Sequence, residues 1–219
     1  MFFQKLWEEP VFYFSWILIV VFSICVHEFA HALAARSQGD DTASANGFMS
    51  LDPRRVMGYQ SLIALALFGI AWGAVPVDPS RYRSPASSAL VSLAGPLANA
   101  GLAFFFAVIL AGIGIFGNHL PENFAISFAC FFGIAVKANC LLLVFNLLPI
   151  PMLDGWSVAE AILPPLRRLT AEQRGAYSLV AILLICFSPL NNIVFQLSGL
   201  FRGVIISAIC AIANLLKLV

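Results

Sequence analysis

Charged residues are scarce in this chain. Asp, Glu, Lys and Arg make up only 11% of its 219 residues, while 61% are hydrophobic. Soluble globular domains carry about 25% charged residues. So few charges cannot cover a water-facing surface, and the mean hydropathy of +0.92 points the same way. The composition excludes an ordinary soluble domain and indicates an integral membrane protein. Neither sign of charge is in excess. A net charge of +1 leaves no basic face for nucleic acid and no acidic tail. Paired cysteine spacing is absent too. Cys25, Cys130, Cys140, Cys186 and Cys210 lie singly in apolar stretches and read as small buried hydrophobes, not as a disulfide framework or a structural zinc site. The first ten residues, MFFQKLWEEP, have no strongly positive segment and no small-residue cleavage site, so the apolar run after them reads as retained.

What is present is a series of apolar runs. Those near 11–35, 87–116 and 124–148 reach the roughly 20 residues that a spanning helix needs, and two more lie near 176–190 and 192–216. A further patch, 61–77, is interrupted by Gly69, Gly73 and Pro76 and reads as a span, a re-entrant segment or an extended strand. No low-complexity tract or internal repeat stands out. The expectation is a single membrane-embedded domain over 1–219.

Late in the first run stands His27-Glu28-Phe29-Ala30-His31. Positions i and i+4 share one face of an α-helix, so the two imidazoles can hold one metal ion. The glutamate between them can serve as general base toward a water at that ion. Zinc suits nitrogen and oxygen ligands and lowers the pKa of its water. Val11 to Val26 carries no charge, which places the motif about 25 Å along an apolar helix. Ionisable groups at such depth cost at least ~2.5–3.5 kcal/mol each when charged. A metal would offset that cost; an ion pair of Glu28 with the histidines or with Arg36 is the alternative.

Catalytic zinc sites usually have three protein ligands. His119, in the 117–123 loop, reads as interfacial. Asp154 is the stronger candidate. It follows Pro149 and Pro151, which cannot continue a helix regularly, and it precedes Gly155, which permits a turn. A helix end followed by unwound backbone would present its carboxylate. An N-cap of a short helix over 156–163 is the other reading of Asp154.

HEFAH, then Gly95-Pro96-Leu97-Ala98-Asn99, then Asn146-Leu147-Leu148-Pro149 leading to Leu153-Asp154-Gly155, in that order, resembles the site-2 protease family of intramembrane zinc metalloproteases. The similarity runs from about 20 to 155. It implies His27, His31 and Asp154 as zinc ligands, with one Zn2+ per chain, and Glu28 as catalytic base. It also implies Asn99 and Asn146 as residues close to the active site that support substrate or transition state. The stretch 39–53 is similar to compact bacterial-type members. The turn at 56–59 lacks the histidine that such members often carry, and no PDZ-like module is inserted. The core of the enzyme is then expected at about 11–156, with additional helices at about 157–219.

Two zinc ligands must lie at one depth. Were 61–77 a full span, the end of the first helix and the end of the 124–148 helix would face opposite sides of the membrane. The expected fold is therefore an all-α polytopic membrane protein. It has about five transmembrane helices plus a re-entrant or short β-like element between the first two spans. Arg36, Arg54, Arg55, Arg81, Arg83, Arg167, Arg168 and Arg174 crowd the loops at the catalytic end, whereas 117–123 has no Lys or Arg. The positive-inside rule places that end toward the cytoplasm of a prokaryotic cell membrane. Gly95 and Pro96 are expected to break the 87–116 helix. Lys137 lies mid-helix, with a topological role or a functional one. Asn139 and Asn146 share a face and read as bonding neighbouring helices.

The expected activity is hydrolysis of peptide bonds within or near transmembrane segments of membrane proteins, in contact with the lipid bilayer and with no nucleic-acid partner. A catalytically inactive binding protein and a metal transporter are the rivals. The transporter lacks the repeated halves usual in that class. Substrate identity, cleavage site and oligomeric state are not encoded in any motif.

Overall fold

A computed structural model describes residues 2–84 and 86–215. Its longer helices are α1 (Pro10–Ser37), α2 (Gly58–Phe68), α3 (Ser87–Phe116), α4 (Glu122–Asn146), α5 (Asp154–Ile162), α6 (Ala171–Phe187) and α7 (Leu190–Leu215). Among the described residues there is no β-strand. Pro10 occupies the start of α1, where its missing N–H costs nothing. Among the described residues four helical stretches are long and apolar enough to cross a membrane: Pro10–Ser37, Ser87–His119, Glu122–Asn146 and Leu190–Leu215. The run expected near 176–190 forms the end of α6, a helix of 17 residues that begins on the polar AEQRG. Its apolar part, about 12 residues, rises only about 18 Å, short of a ~30 Å hydrocarbon core.

The interrupted patch is re-entrant. α2 runs back along α1 toward its N-terminal end. There Tyr13 Oη donates to the Ala66 carbonyl at 3.0 Å and Trp16 Nε1 to the Gly69 carbonyl at 2.9 Å. Gly69, with φ +74°, ends α2 in the left-handed conformation that a glycine adopts without penalty. The chain then returns in extended form over 70–78, beside α2. Ser61 Oγ accepts from Trp72 N at 2.8 Å and donates to Trp72 O at 2.6 Å, and Ala74 N donates to Val56 O at 3.0 Å. At the other end Arg83 N donates to Gln38 O at 3.0 Å, and Ser87 Oγ to Gln38 Oε1 at 2.8 Å. α3 thus starts at the same end where α1 stops, as the depth argument requires.

α3 is not broken at Gly95-Pro96. It is continuous for 30 residues with Pro96 inside it. Proline removes one N–H and loosens the turn before it without ending a helix whose neighbours hold it on both sides. α1 and α4 pack on α3 through a core of Ile19, Ile24, Ala103, Phe106, Ala135 and Ala138. The alanines let the helices approach closely, as small residues do in membrane bundles. Cys25 and Cys140 lie in this core as expected, but Cys130 and Cys210 are exposed on outward faces, where an apolar thiol is equally at home in lipid. The side chain of Cys186 lies outside the described residues. Lys137 is exposed on α4, and His119 sits in a turn after α3.

Candidate metal centre and active-site cavity

His27 and His31 project from one face of α1, both more than nine-tenths buried. Their Nε2 atoms stand 3.0 Å apart. Asp154 completes the group: Oδ2 lies 3.1 Å from His27 Nε2 and Oδ1 lies 3.2 Å from His31 Nε2. Ligand atoms about 2.1 Å from a tetrahedral zinc are roughly 3.4 Å from one another. The three observed separations are close to that spacing.

The protonation pattern explains why a cation fits. His27 Nδ1 lies 2.6 Å from Asn99 Oδ1. Asn99 Nδ2 donates to Asn139 Oδ1 at 3.1 Å, and Asn139 Nδ2 donates to Ala135 O at 2.9 Å. This relay turns the Asn99 oxygen toward His27, so His27 donates from Nδ1. His31 Nδ1 is 2.7 Å from the Val91 carbonyl and must donate as well. Both neutral rings then present Nε2 lone pairs to each other and to a carboxylate. Asp154 Oδ2 is buried without a hydrogen-bond partner. With both rings neutral, three such acceptors converge without a proton and repel one another, a conflict that a divalent cation at this point removes. These residues fit zinc.

Local structure delivers each group. Asp154 is the first residue of α5, with Leu153 in the N-cap position and no side-chain cap. Its carboxylate therefore points to the histidines and does not serve as an N-cap. The positive end of the α5 dipole favours its charge. Gly155 makes the approach possible, since a methyl group there would lie 2.2 Å from Leu147 O. Ser178 of α6 donates to the Pro151 carbonyl and ties down the loop that carries Asp154. Gly95 does the same service on α3, where a methyl group would lie 2.3 Å from His31 Nε2 and 2.4 Å from His27 Nε2. The expected close packing at Gly95 is present, although the helix break is not.

A cavity of about 370 Å³ opens in front of the group, lined by Glu28, Asn146, Asp154 and the extended segment with Gly73 and Val75. Glu28 is buried on the same turn as the histidines but is not part of the three-ligand cluster. Its side chain packs beneath Gly73, and the Val75 backbone N–H faces its carboxylate. Asn146 reaches the cavity from the end of α4 while its Nδ2 donates to Leu142 O at 3.0 Å. Asn99 also borders the cavity, yet its hydrogen bonds go to His27 and Asn139. Tyr82 lines the mouth; burial, with Asp40 and Asp78 nearby, pushes its hydroxyl up to about 12, so it stays protonated at neutral pH. Met152, left-handed at φ +81° and 84% exposed, stands at the opposite rim. His119 is not part of the site.

Sequence reasoning missed Tyr82, the Val91 carbonyl and the link from Asn139 through Asn99 to His27. Asn99 and Asn139 are polar residues inside apolar runs, which is the available signal. Nothing in the spacing pairs them.

Comparison with known proteins shows the family. The model of "Peptidase family M50" matches residues 15–129 and 113–190. "Putative zinc metalloprotease YwhC" of Bacillus subtilis is 32% identical over 180 residues, covering 81% of this chain and 82% of that protein. "Putative zinc metalloprotease Rip2" of Mycobacterium tuberculosis is 31% identical over 191 residues, covering 84% and 68%. Rip2 of Mycolicibacterium smegmatis is 33% identical over 203 residues, covering 86% and 74%. No solved structure matches the chain significantly. Motifs, helices and relatives converge on one assignment: this chain belongs to peptidase family M50, the site-2 protease family of zinc metalloproteases.

Proposed function

We propose that the chain hydrolyses peptide bonds within or near transmembrane segments of membrane proteins, with His27, His31 and Asp154 holding one zinc ion and Glu28 as general base. The observation that carries this reading is Glu28 itself. It lies buried beside three convergent ligands, outside their set, and in the same cavity. A transit site for metal ions has no use for that arrangement.

When bound, zinc supplies Lewis acidity to a water and to a peptide carbonyl at this site. Glu28 accepts the proton of the attacking water and passes it to the leaving amine. Asn99 and the Val91 carbonyl hold the imidazoles in the tautomer that leaves Nε2 free. Asn146, on the cavity wall, is placed to support the substrate.

A helical substrate hides its scissile bond and must unwind. The extended segment offers a template. Its Trp72 and Ala74 N–H groups are bonded inward, to Ser61 and Val56. Ala71, Trp72, Gly73, Ala74, Val75 and Val77 line the cavity. Such an edge can receive an unwound strand by β-addition. The Arg-rich loops at this end favour a cytoplasmic-facing site in a prokaryotic cell membrane.

The test is Glu28→Gln in purified protein. It is expected to keep one zinc per chain and to lose cleavage of a transmembrane substrate by about 10²–10⁴-fold. Cleavage at the parent rate would overturn the mechanism. A parent protein that binds no zinc would overturn the site.

A further inference from the structure

Asp40 is fully buried, three residues beyond the end of α1, and neither the ligand cluster nor the cavity wall includes it. Oδ1 serves a local turn: it accepts from Thr42 N at 3.0 Å and from Thr42 Oγ1 at 2.5 Å. Oδ2 reaches 38 residues along the chain and accepts from Asp78 N at 2.7 Å. Asp78 ends the extended segment. The body of the protein bonds the backbone of this segment at Trp72, to Ser61 Oγ, at Ala74, whose N–H donates to Val56 O, and at Asp78, whose N–H donates to Asp40. Between Ala74 and Asp78 the Val75 N–H faces the Glu28 carboxylate, so the register at Glu28 depends on the bonds to either side.

Two further ties lie beyond Asp78: Arg83 N donates to Gln38 O at 3.0 Å, and Arg81 pairs with Asp41 at 2.8 Å, both side chains of the pair more than half exposed. Exposed pairs add little, whereas a buried charge-assisted bond is stronger and more exact in direction. Of these ties the Asp40 bond is the one that grips the segment itself, at Asp78 N.

Resting on the proposed peptide hydrolysis, we propose that Asp40 is a positioning residue, clamping the substrate-receiving edge against α1 so that Gly73 and Val75 stay opposite Glu28. It acts through the backbone of the segment and touches no reacting atom. Losing it loosens the edge, which weakens capture of an unwound strand more than it slows the chemistry at Glu28.

Asp40→Asn separates the two functions of the carboxylate. The remaining oxygen still accepts from Thr42, but the new amide NH2 opposes the Asp78 N–H, donor against donor. The experiment uses the full chain, zinc-loaded and in detergent, with a synthetic transmembrane peptide as substrate. Backbone amide exchange of Ala74, Val75 and Asp78 is expected to quicken at least about tenfold while α1 and α3 are unchanged. KM is expected to rise about tenfold or more, with kcat within about threefold and one zinc retained. Unchanged exchange of the segment, or a fall in kcat with KM unchanged, would overturn the proposal. So would loosening spread evenly over α1 and α3. Should Asp40→Asn fail to fold, Thr42→Val removes only the orienting hydroxyl; a smaller change in the same direction supports the clamp, and none refutes it. A parent that cleaves nothing refutes the proposed hydrolysis, and the exchange measurement still decides whether Asp40 holds the segment.

Discussion

Gly95→Ala tests the packing that makes the metal centre possible. The added methyl would stand 2.3 Å from His31 Nε2, 2.4 Å from His27 Nε2 and 2.5 Å from His27 Cε1. Ordinary contacts to carbon begin near 3.5 Å, so the rings or α3 must retreat by about 1 Å. Metal–ligand distances tolerate only about ±0.2 Å. The methyl also points at the atoms that would bind zinc. Zinc affinity should fall by roughly hundredfold or more, exceeding the 10–100-fold typical when a partner behind a ligand is lost. Overpacking of this kind costs about 1–3 kcal/mol, so the protein should still fold. The assay is zinc affinity by competition with a chelator, alongside helical content by circular dichroism. Gly101→Ala is the control. It lies on the same helix with nothing within 4 Å of the added methyl. Alanine is the better helix former by about 1 kcal/mol, so this variant should keep zinc and lose no stability. Parent-like zinc affinity in Gly95→Ala would refute the reasoning, as would an equal loss in Gly101→Ala.

Asn99→Leu should lower zinc affinity about 10–100-fold, because the buried His27 Nδ1–H loses its acceptor. Asn99→Asp keeps an acceptor there and should lose less; equal losses in the same chelator competition would argue against the relay. The Asp40 link should be acid-sensitive. Burial works against the Asp40 charge, but the Thr42 hydroxyl, the Asp78 and Thr42 N–H groups and Arg81 outweigh it and hold the carboxyl below its ordinary value. A folded-state pKa that is lowered contributes stability above the unfolded value of about 3.9, and that contribution is lost as pH falls through the folded value. Amide exchange in 75–78, corrected for its intrinsic pH dependence, should accelerate in that acid window in the parent. In Asp40→Asn it should not change there.

Much of the site was legible because its chemistry is local in sequence. His27, Glu28 and His31 share one helical turn, and proline on either side of Ile150 marked the irregular stretch between α4 and α5, at whose end Asp154 begins a new helix. Two ligands to one ion cannot lie on opposite faces of a membrane, which spoke against 61–77 as a full span but left a re-entrant helix and a strand open; the structure has α2 followed by an extended return. Three features were not legible. Pro96 sits in the middle of an intact helix, because neighbours on α1 and α4 outweigh a single lost hydrogen bond. Residues near 176–190 are apolar enough to suggest a span, but the polar start of α6 leaves too short a stretch for one. The hydrogen bonds of Asn99 to His27 and Asn139 depend on how α1, α3 and α4 pack. Periodicity identifies faces; it does not say which faces meet.

The central claim is that zinc and Glu28 cut a peptide bond inside the bilayer. The most direct measurement is to reconstitute the zinc-loaded protein in lipid vesicles with a single-span substrate and to read the product masses. The account predicts two fragments whose new ends fall within or at the edge of the apolar segment. They should form in the parent, fail to form after zinc is chelated, and fail to form in Glu28→Gln that retains zinc. Cleavage only in a water-exposed loop far from the membrane, or fragments that persist with zinc-bearing Glu28→Gln, would contradict it.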